Sequence, residues 1–532
     1  MTQARACAKR CVAQLPRTGH RVLSAQRGFG GFLLIALIAG MAAAAGMFTF
    51  YRTDAVRAQS ERSTTDVLAT AKQALVGYAV ARGGPPVLAR PDEFPCPDTD
   101  GDGYANAPCE TAASLIGRLP WRTLGMPEPK DGGETLWYAL STAFRSWPAA
   151  SVARRINSDT RGNITVRSYT RIDNCESASC FAVSTVTNEA AAVVFSPGGA
   201  VGAQNRNNLS VANYLDSILG TNNAASSAGP FISGPPTGTF NDRLIYLTAV
   251  DFMPAVEMRV GAELRDLLVK YREKSLCKCY PWADTWPHLS GIADIGQNRG
   301  TFPQEAYPEF WGSGGIPQLP AYVRANDWQN FFWYAVGRQN TYQQQTCRTC
   351  SSLPMLKVTD TSKPTAVDTW VSALLIGPGA PLDGIARMQP PVGQSARRDN
   401  VNLYFEDAAN RDGAACLDVG EIGGSEGSGM LAGATTCDAY VVPTSRSMNR
   451  DRLFTAGVSS PAQCAAHAQT LLDTTCHLTG TQVKPICQAA VNNLDACPCL
   501  DAGRAMLEVP CRNTPNASSC SAPRVQLQQC GQ

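Results

Sequence analysis

The chain has 532 residues, 44% apolar and 17% charged, with 46 basic against 44 acidic side chains. That length predicts two or three domains rather than one, and the composition excludes an intrinsically disordered chain. Six of the cations lie in the first 31 residues; without them the count is 40 basic against 44 acidic, a balance of −4, and nothing points to nucleic acid.

The first 53 residues contain no Asp or Glu but carry Arg5, Lys9, Arg10, Arg17, Arg21 and Arg27. From Phe32 to Tyr51 there is no charged residue. At about 1.5 Å per residue such a stretch spans about 30 Å, the hydrocarbon core of a bilayer, and a helix is the one single-segment form that satisfies its own backbone there. The basic flank predicts a cytoplasmic N-terminus, with everything after Arg52 outside. Beyond the apolar stretch the helical pattern continues. Between Tyr51 and Arg82 there is no Pro and one Gly, Gly77, while Val67, Leu68, Ala71, Leu75, Tyr78 and Ala79 recur at three- and four-residue steps. Gly83-Gly84-Pro85-Pro86 ends the pattern. One helix of about 50 residues is predicted, roughly 75 Å long, its first half in lipid and its second half striped for a globular domain.

A basic leader, a Gly-Phe junction, and an apolar helix that emerges amphipathic before an extracytoplasmic domain resemble the type IV prepilins and the pseudopilins of type II secretion. The resemblance covers about 50 residues. It implies cleavage by a prepilin peptidase after Gly31 and methylation of Phe32. In that family the fifth mature residue is usually Glu; here it is Ala36. The departure implies a tip or initiating subunit rather than an ordinary mid-filament one. Gly28-Phe29 is a rival junction whose fifth residue, Leu33, also lacks the carboxylate. Two simpler alternatives are an uncleaved signal anchor and a secretory signal cleaved within Ala42 to Ala45, although MFTFY prolongs the apolar run past that site.

After the Pro-rich stop, Asp98, Asp100 and Asp102 alternate and Gly103 follows, the D-x-D-x-D-G opening of a calcium loop. The Tyr104 carbonyl and Asn106 complete the candidate ligand set for a structural Ca²⁺. The twelfth position, where a bidentate Glu belongs, is Cys109. A Cys96–Cys109 bridge around the loop is expected, and an acidic, disulfide-braced turn without an ion is the alternative. Residues 117–144 read as a loop-rich platform followed by a short amphipathic segment. Strand-like runs follow at Asn163 to Tyr169, Phe181 to Val186 and Ala191 to Phe195. Cys175 and Cys180 are placed to close a small loop. Val256, Val260, Leu264, Leu267, Leu268 and Tyr271 mark a helix.

Three short echoes then appear in the same order: Leu136–Leu140 (LWYAL) and Phe332–Val336 (FWYAV), Ala192–Gly198 (AVVFSPG) and Ala373–Gly379 (ALLIGPG), NYLD from Asn213 and LYFED from Leu403. They predict a second unit related to the first. The expected organisation is α+β: a leader at 1–31, a pilin-like helix at 32–82 with 32–51 in the membrane, a first α+β domain at 83–275, a second at 276–410, and a Cys-rich region at 411–532. Twenty cysteines, ten of them between Cys416 and Cys530, fit an oxidising exterior and a tail held by bridges. Gln463 to Leu472 and Lys484 to Leu494 are its predicted helices.

Motifs for catalysis are weak. Gly423-Gly424-Ser425-Glu426-Gly427 matches G-x-S-x-G but lies in a Gly/Ser-rich stretch without the strand and helix that present a nucleophile. Cys277/Cys279, Cys347/Cys350 and Cys497/Cys499 are expected to be structural bridges rather than zinc or redox pairs. The four His show no constellation, and neither a Walker A nor a dinucleotide fingerprint occurs. The expectation is therefore a non-enzymatic pilin-like subunit in a bacterial inner membrane, with its bulk in the periplasm or, after assembly, on a pilus or the cell surface. Its expected partners are other pilin or pseudopilin subunits and the prepilin peptidase. The alternatives are a membrane-anchored periplasmic protein that binds a ligand or partner outside any filament, and an anchored periplasmic enzyme.

Overall fold

A computed structural model describes residues 58–81, 91–145, 155–172, 180–284, 298–337, 356–360, 367–381, 387, 403–405, 410, 439–442, 452–459, 461–472, 485–494, 497, 499–507, 511 and 517–530. The basic leader, the Gly31-Phe32 junction and the 32–51 stretch lie outside these, as do Cys175, Cys347, Cys350 and the G-x-S-x-G segment. Among the described residues no helix is long and apolar enough to cross a membrane. The chain divides into two compact units, 1–63 and 64–532. Of the first, residues 58–63 are described and helical; the sheets, the cores and the tail belong to the second.

Residues 58–81 form helix α1. Its repeat of apolar positions does what a 3.6-residue period requires: Leu68, Ala71, Leu75 and Ala79 are all at most 5% exposed and join the main core.

The first sheet is built from β1 (Ile116–Arg118), β4 (Trp137–Leu140), β5 (Ile164–Arg171), β6 (Phe181–Ser196), β9 (Phe231–Ser233) and β10 (Arg243–Thr248). Its order is β1-β4-β6-β5-β9, with β10 also paired to β6. Small hairpins are formed by β2 (Lys130–Asp131) with β3 (Glu134–Thr135), and by β7 (Ser217–Ile218) with β8 (Thr221–Asn222). The segment at Leu136–Leu140 is thus no amphipathic stretch: all four residues of β4 are buried on both faces, as a central strand demands. The two runs expected at Phe181–Val186 and Ala191–Phe195 are one strand of 16 residues. Its second half is buried and its first half extends, largely exposed, with β5.

Helix α2 (Ala249–Lys274) leaves β10 at once, its start capped by the reciprocal Thr248 and Asp251 bonds. Every apolar position that marked it in the sequence is buried. Near its start Phe252 meets Phe94 and Phe144 at ring distances of 4.7 and 5.3 Å. Further along, a Cβ on Gly261 would stand 2.3 Å from the ring of Phe454. One face serves the first sheet, another the second.

The second sheet consists of β11 (Arg299–Thr301), β12 (Trp333–Val336), β13 (Leu356–Asp360), β14 (Val367–Gly377), β15 (Ala439–Val442) and β16 (Arg452–Ser459). Its order is β11-β12-β14-β13-β15, with β16 also paired to β14. Among the described residues this is, strand for strand, the first sheet again, down to one parallel pair in each, β5 with β9 and β13 with β15. Both β15 and β16 come from the stretch read as the Cys-rich region, so the boundary at 410/411 falls between strands of one sheet.

The correspondence reaches individual contacts. Tyr138 Oη donates to the Pro95 carbonyl at 3.2 Å and Tyr334 Oη to that of Pro281 at 3.0 Å. Asp98 and Arg118 exchange both backbone bonds, and so do Asp284 and Thr301. In each bridge the chains run so close that a Cβ on Gly117 or Gly300 would lie 2.5 or 1.8 Å from the facing carbonyl. Nine residues after the Pro of each Pro-Gly turn, an arginine returns to that turn: Arg206 donates to the Gly198 carbonyl at 2.7 Å and Arg387 to that of Gly379 at 2.5 Å. Their guanidinium carbons lie 5.1 and 4.7 Å from the ring centres of Tyr214 and Tyr404, the tyrosines of the third echo.

Between the sheets runs one core, from Leu68 through Val256 and Leu264 to Phe454. Among the described residues the tail is a separate cluster of short helices, Pro461–Leu472, Pro485–Asn493, Leu500–Leu507 and Ser521–Gln528. Bridges Cys464–Cys497, Cys499–Cys530 and Cys511–Cys520 hold it, and cysteines supply much of its buried surface. The two predicted helices are both present.

Candidate functional site

Asp98 leaves the bridge to β1 with its carboxylate turned back over its own loop. One oxygen accepts the Gly101 N–H at 2.6 Å and the other the Gly103 N–H at 2.8 Å. Both glycines hold positive φ, +85° and +87°, which side chains resist. The same turn chemistry recurs at Asp102, which accepts from the Tyr104 N–H at 2.7 Å, and at Asp100, which accepts from the Asp102 N–H at 3.3 Å and from Asn106 Nδ2 at 3.0 Å. The expected Cys96–Cys109 disulfide closes the loop, with Cα atoms 5.7 Å apart.

Three carboxylates result, each offering an oxygen within 4.8 Å of the others. Asp98 is buried, and burial raises its pKa against the lowering effect of the two glycine amides. Asp100 is exposed, and the Asp102 N–H followed by Asn106 holds its pKa below the usual range. A hard, oxygen-seeking cation suits this donor set. Asn106 turns its amide oxygen to Thr99, accepting the N–H at 2.6 Å and the hydroxyl at 3.1 Å, so ligation by Asn106 requires that pair to open. Tyr104 enters through its backbone; its ring is exposed, with the Arg122 guanidinium carbon 5.5 Å from its centre. Cys109, at the twelfth position, is committed to its bridge and offers no ligand.

Beside the loop lies a cleft of about 470 Å³, lined by Asp98, Thr99 and side chains from β1, β4 and the loops before β7 and β9. Two residues in it went unnoticed in the sequence, Arg118 and Trp137. Arg118 Nη2 donates to Tyr214 Oη at 3.4 Å, and the Trp137 and Tyr214 rings pack at 4.9 Å. Echoed segments offered a signal for the tryptophan but none for the arginine.

The remaining cysteine pairs divide. Cys277 and Cys279 bridge each other. Cys497 and Cys499 bond instead to Cys464 and Cys530, which removes them as a zinc or redox couple. A buried charged cluster joins the two halves of the chain. Glu257 of α2 is fully buried, accepting Ser158 Oγ at 2.7 Å and the Gly379 N–H at 3.1 Å, with Arg452 at 3.2 Å. Nearby, Arg387 pairs with the buried Asp159 at 3.3 Å. Both ion pairs join a carboxylate from the first half of the chain to an arginine from the second. Comparison with known protein families, with characterised proteins and with solved structures finds no match for this chain.

Proposed function

We propose that the chain is a non-enzymatic pilin-like subunit of a type IV pilus or type II secretion pseudopilus, minor or tip-located, serving assembly, secretion or adhesion. Its processing would separate Gly31 from Phe32, and its first helix would run from the inner membrane into a periplasmic or surface-displayed body made of a duplicated α+β unit. The observation that carries the reading is the continuity of pattern: an uncharged stretch of 20 residues leads into a helix whose stripe, Leu68, Ala71, Leu75 and Ala79, is buried in the folded body. Such a helix suits a subunit that is drawn from lipid into a bundle of like helices while its body stays outside. Ala36 at the fifth mature position and a body of two sheets plus a stapled tail both favour a terminal place, where bulk does not obstruct neighbours.

N-terminal sequencing and mass analysis of the mature protein test this directly. A methylated Phe32, lost when the prepilin peptidase is deleted, is the expected result; a chain that keeps Met1 refutes it. A second reading, a membrane-anchored binding protein outside any filament, draws on the cleft beside the acidic loop. Absence of the protein from sheared fibres, together with indifference to the peptidase, would select it.

A further inference from the structure

We infer that the cleft beside the acidic loop binds a small ligand with an apolar body and a terminal carboxylate. The inference holds for a filament subunit and for a free-standing anchored protein alike. At about 470 Å³ the cleft has the size of a small-molecule site, and its lining is mixed, with apolar side chains beside Asp98, Thr99, Arg118, Ser226 and Ser227. Ile116, Trp137, Leu209 and Val211 supply the walls, and Arg118 and Ser226 are among the polar lining residues.

Arg118 decides the chemistry. Among the described residues its guanidinium makes no ion pair; its one hydrogen bond is the long one to Tyr214, and its Nε is buried without a partner. A half-buried guanidinium with free N–H groups presents the planar fork that a carboxylate fits. Asp98, the other charged residue in the lining, engages both oxygens with the Gly101 and Gly103 amides, so it does not pair with Arg118, but it still places a negative charge at the cleft wall. Beside Asp98 a carboxylate adds one negative charge opposite the guanidinium and a phosphate dianion adds two, so the singly charged anion is the less repelled.

The second half of the chain supplies an independent observation. In the same register, β1 pairs Ile116 and Arg118 with Ala139 and Trp137, and β11 pairs Arg299 and Thr301 with Ala335 and Trp333. The tryptophan and alanine are kept, as structural positions should be. At the positions facing the cleft, an apolar wall and an accessible arginine in the first sheet are replaced by Arg299 and Thr301, both 0% exposed. One copy of the fold has an open cleft with an arginine in its wall and the other has those positions sealed, the divergence expected when one copy alone serves a ligand.

Saturation-transfer NMR and calorimetry on the full chain, with 3-phenylpropionate, 3-phenylpropionamide and inorganic phosphate as probes, test the inference. Expected is binding of the carboxylate at least tenfold tighter than the amide, with no phosphate binding. Arg118→Gln should erase that preference and Arg118→Lys should keep part of it. Leu209→Trp, in an exposed part of the wall, should block both aromatic probes while leaving the arginine in place. Binding of neither aromatic probe to the folded protein, equal affinity for acid and amide, or a preference that survives Arg118→Gln overturns the inference; tighter binding of phosphate overturns the carboxylate assignment.

Discussion

Asp242 offers a quantitative test of the first sheet's polar interior. The side chain is 0% exposed. Oδ2 accepts the Asp216 N–H and Asn223 Nδ2, both at 2.8 Å, and Oδ1 has no partner. Burial, and after it the neighbouring Asp216 carboxylate, push the pKa up to about 8. In the unfolded chain an Asp titrates near 3.9. Between these values the folded protein holds a proton that the unfolded chain has released. The associated stability is therefore complete below about pH 4 and is lost as pH rises through about 8, at up to about 1.4 kcal/mol per unit. Four units set a ceiling of about 6 kcal/mol, and the effective polarity of real interiors reduces this to about 2–4. Asp242→Asn is neutral at every pH. Placing an amide NH₂ at the unpartnered Oδ1 position costs about 1–3 kcal/mol, but equally at all pH, so the slope and not the offset carries the information. In urea unfolding followed by circular dichroism from pH 5 to 9, the stability of the variant relative to the parent should climb by about 2–4 kcal/mol. Parallel pH profiles would refute the argument, since Asp242 would then ionise in the fold as it does in the open chain.

Arg387→Met should destabilise by about 3–5 kcal/mol in the same assay, because it leaves Asp159, 3% exposed, charged and unpaired inside the protein. The counterpart Arg206→Met should cost less, about 1–2 kcal/mol, since its partner Glu134 is 28% exposed. Leu75→Ala removes a fully buried side chain from the stripe of α1 and should cost about 2–5 kcal/mol, whereas the exposed Gln73→Ala on the same helix should stay within about 0.5 kcal/mol. For calcium, a concentration ten times the dissociation constant adds about 1.4 kcal/mol of stability, so millimolar Ca²⁺ should raise the melting temperature by a few degrees and Asp100→Asn should abolish the rise; an unchanged melting temperature removes the ion from the loop.

Much of this fold was legible wherever periodicity was unambiguous. The stripe of α1 and the six apolar positions of α2 each specify a buried face that one helical period alone can assemble. LWYAL was harder, since a short run buried on both faces has no period to read; its pairing with β6 decided the matter. The domain boundary failed for another reason. Strands β15 and β16 are separated from β14 by long connections, and a sequence that turns rich in Gly and Cys hides the fact that a sheet is still unfinished. Arg206 and Arg387 were within reach: each stands nine residues beyond the Pro of an echoed turn, but spacing alone does not say that a guanidinium folds back upon it. Arg118 had no signal, because its significance lies in having no carboxylate paired with it among the described residues, a property of the fold.

The echoes also begin earlier than the strands. Leu75-Val76-Gly77-Tyr78 on α1 matches Leu268-Val269-Lys270-Tyr271 on α2, and Leu75 and Leu268 are both buried in the main core. At the other end, Asp242-Arg243-Leu244 at β10 matches Asp451-Arg452-Leu453 at β16. The repeating unit that these matches support is a helix followed by its six-stranded sheet, with α2 as the second copy's version of α1. The two helices differ where their surroundings differ. Carried back by the same offset, Phe252, Met253 and Val256, buried against the first sheet's side of the core, correspond to Gln59, Ser60 and Ser63, all exposed. An exposed apolar turn there would be an aggregation hazard, and a polar turn on α2 would leave buried groups unsatisfied. By this logic α2 serves as an internal beam, capped at Thr248 directly after β10, whereas α1 is preceded in the sequence by the uncharged stretch at 32–51.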